Sequence, residues 1–308
     1  MKRNEYLPEG YVINTSRNIF FTKNYENLCK AMAEDTILEA RCVLCDENMD
    51  LHVDFGFCTG IIPYDQCGYS PSGRIKDIAV LSRVGKPVCF KIIHISTLEN
   101  GNINLILSRK AAQEECMENH VSCLRSGDVI NAKLTHFENY GAFADIGCGI
   151  ISLMSIDCMS VSRISHPSDR FYIGQRIKAV VRNLPNENGY ISLSHKELLG
   201  SWEENISAFS VGQTAAGIIR SVESYGIFVE LTPNLAGLAE YRENVTAGMC
   251  AAVYIKSIIP ERMKIKLVIV DVGEKVKPAC RYEYPDISRV EKWSYSPLCS
   301  EKVIETVF

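Results

Sequence analysis

The 308-residue chain has no apolar run approaching the ~18 residues that a membrane-crossing helix requires. Its first residues, MKRNEYLPEGYVINT, put no hydrophobic stretch behind two basic residues, so no secretory signal is expected. Positive charge is not in excess: 33 Lys and Arg face 37 Asp and Glu, a formal net charge of −4. Any recognition of nucleic acid therefore has to rest on local charge and on aromatic side chains. There is no glycine-rich phosphate loop, no HExxH and no GxSxG. Outside the repeats described next there is no stretch large enough to house an active site. The chain is accordingly not expected to be an enzyme, and no cofactor or catalytic residue is implied.

Cysteine is plentiful, with thirteen in the chain. Most stand singly among apolar residues, as Cys89 does in VCFKII, where a thiol serves as a small hydrophobe. Reduced thiols and a cytoplasmic location are the expectation. The pair CVLC (42–45), near His52, Cys58 and Cys67, has a zinc-like look. It lies in an expected strand, however, where a spacing of three points the two thiols to opposite faces, and no metal is expected there.

What the chain does contain is a repeat. YGAFADI at 140–146 returns as YGIFVEL at 225–231. With an offset of 85, Gly127 falls on Gly212, Glu138 on Glu223, Gly141 on Gly226 and Leu153 on Leu238. A closing signature, LSRK at 107–110, recurs as LSHK at 193–196, each followed by a polar, helix-like linker. The signature implies a degenerate copy upstream, in which LHVDFGFCTGIIPYDQC keeps the rhythm but lacks the tyrosine–glycine–x–phenylalanine group. Segments such as VINAKLTHF, GAFADI and QRIKAVVRNL alternate apolar and polar residues and are rich in β-branched types. Five short strands cannot bury one face as an open sheet, and a closed barrel removes the edges.

The expected fold is all-β: three five-stranded OB-type barrels in tandem, joined by short helical linkers. The boundaries read as an N-terminal extension 1–35, a degenerate barrel 36–110, a linker 111–126, a barrel 127–199, a linker 200–211, a barrel 212–272 and an extended tail 273–308. Tyr25, Leu28, Cys29 and Met32 are spaced for a helix in the extension. The tail, with its prolines and aromatics, is expected to pack against a barrel through Trp293.

In GAFADI, Ala142, Ala144 and Ile146 share one face and Phe143 and Asp145 the other; Phe228 and Glu230 stand in the same relation. The all-apolar face is the core, which assigns the phenylalanines to solvent beside an acid. A glycine bend lets Tyr140 and Tyr225 join them outside. Exposed ring pairs are what base stacking needs; ordinary packing at the barrel end is the other reading. Lys178 and Arg182, Tyr190, Lys264 and Lys266 face outward by alternation, with Lys133 and Arg220 on the opening strands. These cations could track phosphates, or they could form a solvated face. Residues 127–199 hold seven basic and seven acidic side chains, so binding would be modest. In the loop SVSRISHPSDRFYIG, Arg163, His166 and Arg170 either reach RNA or build a surface loop.

The opening glycines, FENYGAFADIGCG, VESYGIFVELTPNLAGL and YISLSHKEL resemble the S-one RNA-binding domain, an OB-fold subtype. The resemblance covers about 36–272 and is strongest over 127–272. It implies a bacterial, ribosome- or mRNA-associated translation protein that binds single-stranded RNA, whether mRNA or rRNA, on Tyr140, Phe143, Tyr225 and Phe228. It also implies small-subunit ribosomal proteins as partners and a monomer without membrane contact. The chain departs from the family pattern where a histidine commonly stands, with Ser155 and Glu240 there, and where an arginine commonly opens the last strand, with Tyr190 and Lys264 there. Glu240 would repel phosphate. The alternative is a protein-docking adaptor on the ribosome or another RNA-processing complex with little RNA binding of its own.

Overall fold

Three closed five-stranded barrels follow one another in the computed structural model, which describes residues 6–70, 75–99, 101–184, 191–275 and 282–308. The first is built from β1 (Leu38–Cys45), β2 (Leu51–Asp54), β3 (Thr59–Ile62), β4 (Pro87–Thr97) and β5 (Ile103–Ser108). The second uses β6 (Val129–Glu138), β7 (Gly141–Asp145), β8 (Ile151–Ser155), β9 (Arg176–Asn183) and β10 (Ser192–Ser194). The third uses β11 (Thr214–Glu223), β12 (Gly226–Thr232), β13 (Leu235–Ala239), β14 (Met249–Ile259) and β15 (Lys264–Lys275). Each closes in the same order, first–second–third–fifth–fourth and back to the first, with a parallel contact between third and fifth strands. Closure leaves no free edge along a barrel.

The closing LS signature has a structural reason. The leucines at 107 and 193 are fully buried at the end of the last strand. Ser108 then caps α4 (Arg109–Asn119) by accepting from Ala111 N, so this helix begins inside the signature. In the second copy the serine, Ser194, donates instead to the Glu197 carboxylate, and the helix waits for the next cap, Ser201, whose capping box with Glu204 opens α5 (Trp202–Ile206). The opening glycines Gly127 and Gly212 both hold φ near +90°, at +89° and +90°, a backbone that glycine adopts without strain.

The chain divides into two compact units: Met1–Leu124 with Asn131–Lys133 and Asp145–Ile151, and Arg125–Ile130 with Leu134–Ala144 and Ser152–Phe308. In the first, two helices, α1 (Ser16–Phe21) and α2 (Tyr25–Ala33), precede β1, and α3 (Asp77–Leu81) lies between β3 and β4. Its core gathers Phe21, Leu28, Leu51, Phe90 and Leu107. Glu9 is a hub of this unit. Its carboxylate receives Arg109 Nε at 2.6 Å and Arg83 Nη1 at 3.2 Å, and its own N–H donates to Asp145 at 2.8 Å. Burial pushes the Glu9 carboxyl up, but the Arg109 and Arg83 guanidiniums beside it hold it down to about 2.

In the second unit, the core of the third barrel (Ile219, Val229, Val253, Ile255, Ile265, Leu267) is extended by Trp202 of α5 and by Val290, Trp293 and Tyr295 of the tail. The tail is more ordered than its composition suggests. β16 (Lys292–Ser294) and β17 (Glu305–Val307) form an antiparallel pair, Val290 donates its backbone N–H to the Gly127 carbonyl, and Val129 donates to that of Ser288. The tail's first segment, 276–281, lies outside the described residues. No helix among the described residues is long and apolar enough to cross a membrane.

Candidate nucleic-acid interface

The two ring pairs have one geometry. Tyr140 and Phe143 meet edge to face, centroids 6.3 Å apart and planes at 85°; Tyr225 and Phe228 do so at 6.2 Å and 85°. The tyrosines are 57% and 68% exposed, and the phenylalanines are half-buried. The glycine between them is required by close approach. A Cβ on Gly141 would sit 2.5 Å from the Met154 carbonyl oxygen, and one on Gly226 2.6 Å from that of Ala239. Only a residue without Cβ lets the neighbouring strand run this close beneath the tyrosine–phenylalanine step.

In the third barrel the phenylalanine belongs to a row of paired residues across five strands. Ser221 pairs with Phe228, Phe228 with Leu238, Leu238 with Lys266, and Lys266 with Ser257. Neighbouring strands lie ~4.8 Å apart, so Lys266 stands ~10 Å from Phe228 with the exposed Leu238 between them. Lys264 is exposed two residues before it on the same face. The equivalent residues of the second barrel are His136, Phe143, Leu153, Ser192 and Asn183, with Ser192 pairing Leu153 and Asn183. His136 is a member of this site that alternation hid. It is exposed and lies 6.1 Å from Phe143 with its ring 26° from parallel, and its Nε2 is 2.7 Å from Glu138 Oε1. The third barrel has a bulge between Ile219 and Ser221, which reverses side-chain parity. In the second barrel His136 stands out although Leu134, two residues before it, is fully buried.

The other expected site residues are distributed as follows. Lys178 is half-buried on β9, and Arg182 is exposed with its guanidinium 2.8 Å from Cys158 Sγ. Tyr190 lies outside the described residues. Lys133 belongs to the first unit, where its ammonium donates to the Glu9 carbonyl at 2.6 Å; it is turned to the N-terminal segment rather than left facing solvent. Arg220, at the bulge, is turned onto Glu230, with contacts of 2.8 and 2.9 Å.

Two acids reverse their expected place. Asp145 and Glu230 marked the solvent face of the ring strands, yet both are buried. Asp145 accepts the backbone N–H groups of Glu9, Gly147 and Gly149. Glu230 is clasped by Arg170, at 2.6 and 2.7 Å, and by Arg220. Burial pushes the Glu230 carboxyl up, but the two guanidiniums outweigh it and hold it below the usual range. Arg170 is therefore not an RNA contact of the 160–174 loop; it ties that loop to the third barrel. His166 caps the turn Pro167–Asp169, and Arg163 remains exposed.

His195, in the closing signature, is fully buried among Phe171, Tyr282 and Tyr284. Its Nδ1 donates to the Met159 carbonyl, and its Nε2 lies 2.9 Å from the Tyr284 hydroxyl. Burial lowers its pKa to about 4. Cys42 and Cys45 turn their thiols toward the Leu44 and Asp46 carbonyls. Among the described residues, no three His, Cys, Asp or Glu side chains are arranged to hold a metal ion.

Small OB barrels that carry exposed ring pairs on one strand, with cations on the neighbouring strands, define a class built to hold unstacked bases. Residues 124–196 match the S1 RNA binding domain. Over 256 residues the chain is 27% identical to small ribosomal subunit protein bS1 of Rhizobium meliloti (strain 1021), covering 78% of this chain and 44% of that protein. It is 30% identical over 246 residues to the protein of the same name from Staphylococcus haemolyticus (strain JCSC1435), covering 76% of this chain and 58% of that one. The chain thus spans about half the length of the curated relatives it matches.

Proposed function

We propose that this chain binds single-stranded RNA on the outer faces of its second and third barrels and works in translation, on mRNA or on the small ribosomal subunit. The observation that carries the reading is the duplicated ring pair, with the same separation and angle in two barrels. Tyr140, Phe143, Tyr225 and Phe228 stack bases; Lys178, Arg182, Lys264 and Lys266 follow the backbone phosphates. Lys133 and Arg220 hold the protein's own acceptors and contribute to shape rather than to phosphate contact.

The competing reading, a protein-docking adaptor, draws on the first barrel. That barrel lacks the tyrosine–glycine–x–phenylalanine group: its Phe55 leans edge-on against the core Phe90 at 5.7 Å and lies 6.5 Å from the exposed Phe57, and it also exposes Val43, Leu44 and Ile93. Sedimenting cell extract with and without ribonuclease separates the two. Loss of the chain from ribosome-sized fractions after ribonuclease, together with salt-sensitive binding of the purified protein to unstructured RNA, supports RNA binding. Salt-insensitive binding to one purified protein, with no RNA affinity, supports the adaptor.

A further inference from the structure

The two equivalent rows differ at their flanks. In the second barrel, a third ring, His136, lies beside Phe143, and the fifth-strand position holds Ser192. In the third barrel these positions are exchanged in character: Ser221 stands where the histidine would be, and Lys266 where the serine would be. Further along the same strands, Lys264 and the exposed Lys256 add cations to the third barrel. The centre of each site is constant, and only the neighbours of the phenylalanine change.

From this exchange we propose a division of labour. The second barrel is a three-ring stacking surface, Tyr140–Phe143–His136, that takes one base more than the ring pair alone. The third barrel is a phosphate-weighted surface in which Lys266 neutralises the strand beside the stacked base. His136 is suited to this role. It is exposed, its plane lies within 26° of Phe143, and its Nε2 meets Glu138 Oε1 at 2.7 Å through the ring edge. A base laid on Phe143 can therefore be followed by another on the imidazole. Lys266, by contrast, is a point charge on a flexible stem, separated from the ring by Leu238. The inference rests on the RNA-binding reading above and assigns the two barrels different terms in the affinity.

The test uses the full chain with a fluorescently labelled 12-nucleotide oligouridylate, titrated at several salt concentrations. His136→Ser, which installs the third barrel's residue, is expected to weaken binding about tenfold at every salt concentration and to leave the slope of log affinity against log salt unchanged. Lys266→Ser is expected to flatten that slope by about 0.7, one phosphate contact on a single strand, and to lose little affinity at high salt. Both positions are exposed, so thermal melting should be unaffected. If His136→Ser flattens the slope, or if the two variants behave alike, the division is wrong. A variant with both ring pairs replaced by alanine separates this from the underlying reading. If that variant binds as tightly as the unaltered chain, or if the unaltered chain does not bind, RNA stacking itself is overturned. If it loses binding while His136→Ser has no effect, only the division falls.

Discussion

Replacing Tyr140 and Phe143 together with alanine probes the site at its centre, and the structure sets different costs for the two rings. Tyr140 is 57% exposed, so its truncation should cost less than ~0.5 kcal/mol of stability. Phe143 is half-buried: it leans on Tyr140 and His136 at the surface, while Ala142 and Ala144 on either side of it face the core. Complete burial would make its loss cost ~3–5 kcal/mol, and half of that, roughly 2 kcal/mol, is the expectation here. The double variant should therefore still be folded at room temperature, with a lowered melting point. Its RNA affinity should fall by roughly 2–6 kcal/mol for two bases unstacked, with the third barrel setting a floor. The salt slope should stay as it is, because rings neutralise no phosphates. Circular dichroism melts and fluorescence anisotropy on the same preparation measure both effects. Destabilisation far above 2 kcal/mol would show that the rings are core. Normal melting with unaltered RNA affinity would refute the stacking argument outright.

Glu230→Gln should destabilise the chain by about 3 kcal/mol in urea unfolding, because it leaves Arg170 and Arg220 buried without a counter-charge; a change below 1 kcal/mol would mean that the cluster is not desolvated. Trp293→Ala should cost ~3–5 kcal/mol, since the indole is packed into the third barrel's core cluster, and an unchanged urea midpoint would show that the tail is dispensable. His195 makes stability depend on pH. Its folded pKa of about 4 lies below the ordinary histidine value of 6.5, so the unfolded chain takes up a proton that the folded chain refuses, and stability falls as pH drops from 6.5 towards 4. The full effect is about 3 kcal/mol, and it should be missing from His195→Gln; equal pH slopes in the two proteins would contradict the buried, neutral ring.

The barrels were legible because their information is local. Alternation, β-branched residues and the repeated glycines report on neighbours within a few residues, and the strand order follows from closing five such strands. The ring pairs were legible for the same reason, aided by the repeat. What the sequence hid depends on partners far along the chain. Glu230 reads as a solvent-facing acid until Arg170, sixty residues earlier, is found against it. Asp145 is the same case, with Glu9 a further 136 residues away, and Lys133 is drawn to the carbonyl of that same Glu9 across 124 residues. A single outward charge on a strand has no local mark that separates a solvated side chain from one folded back onto the protein. His136 was hidden for a different reason. Alternation counts residues in steps of two, and it fails wherever a strand departs from strict two-residue parity. The histidine therefore carried the parity of the core residues Ile130, Ala132 and Leu134 while standing outside. A signal was present, since a polar ring at an expected core position conflicts with burial unless it finds partners. Here exposure resolves that conflict, with Glu138 as the partner of the imidazole. His195 shows what burial demands instead: two satisfied nitrogens and three aromatic walls.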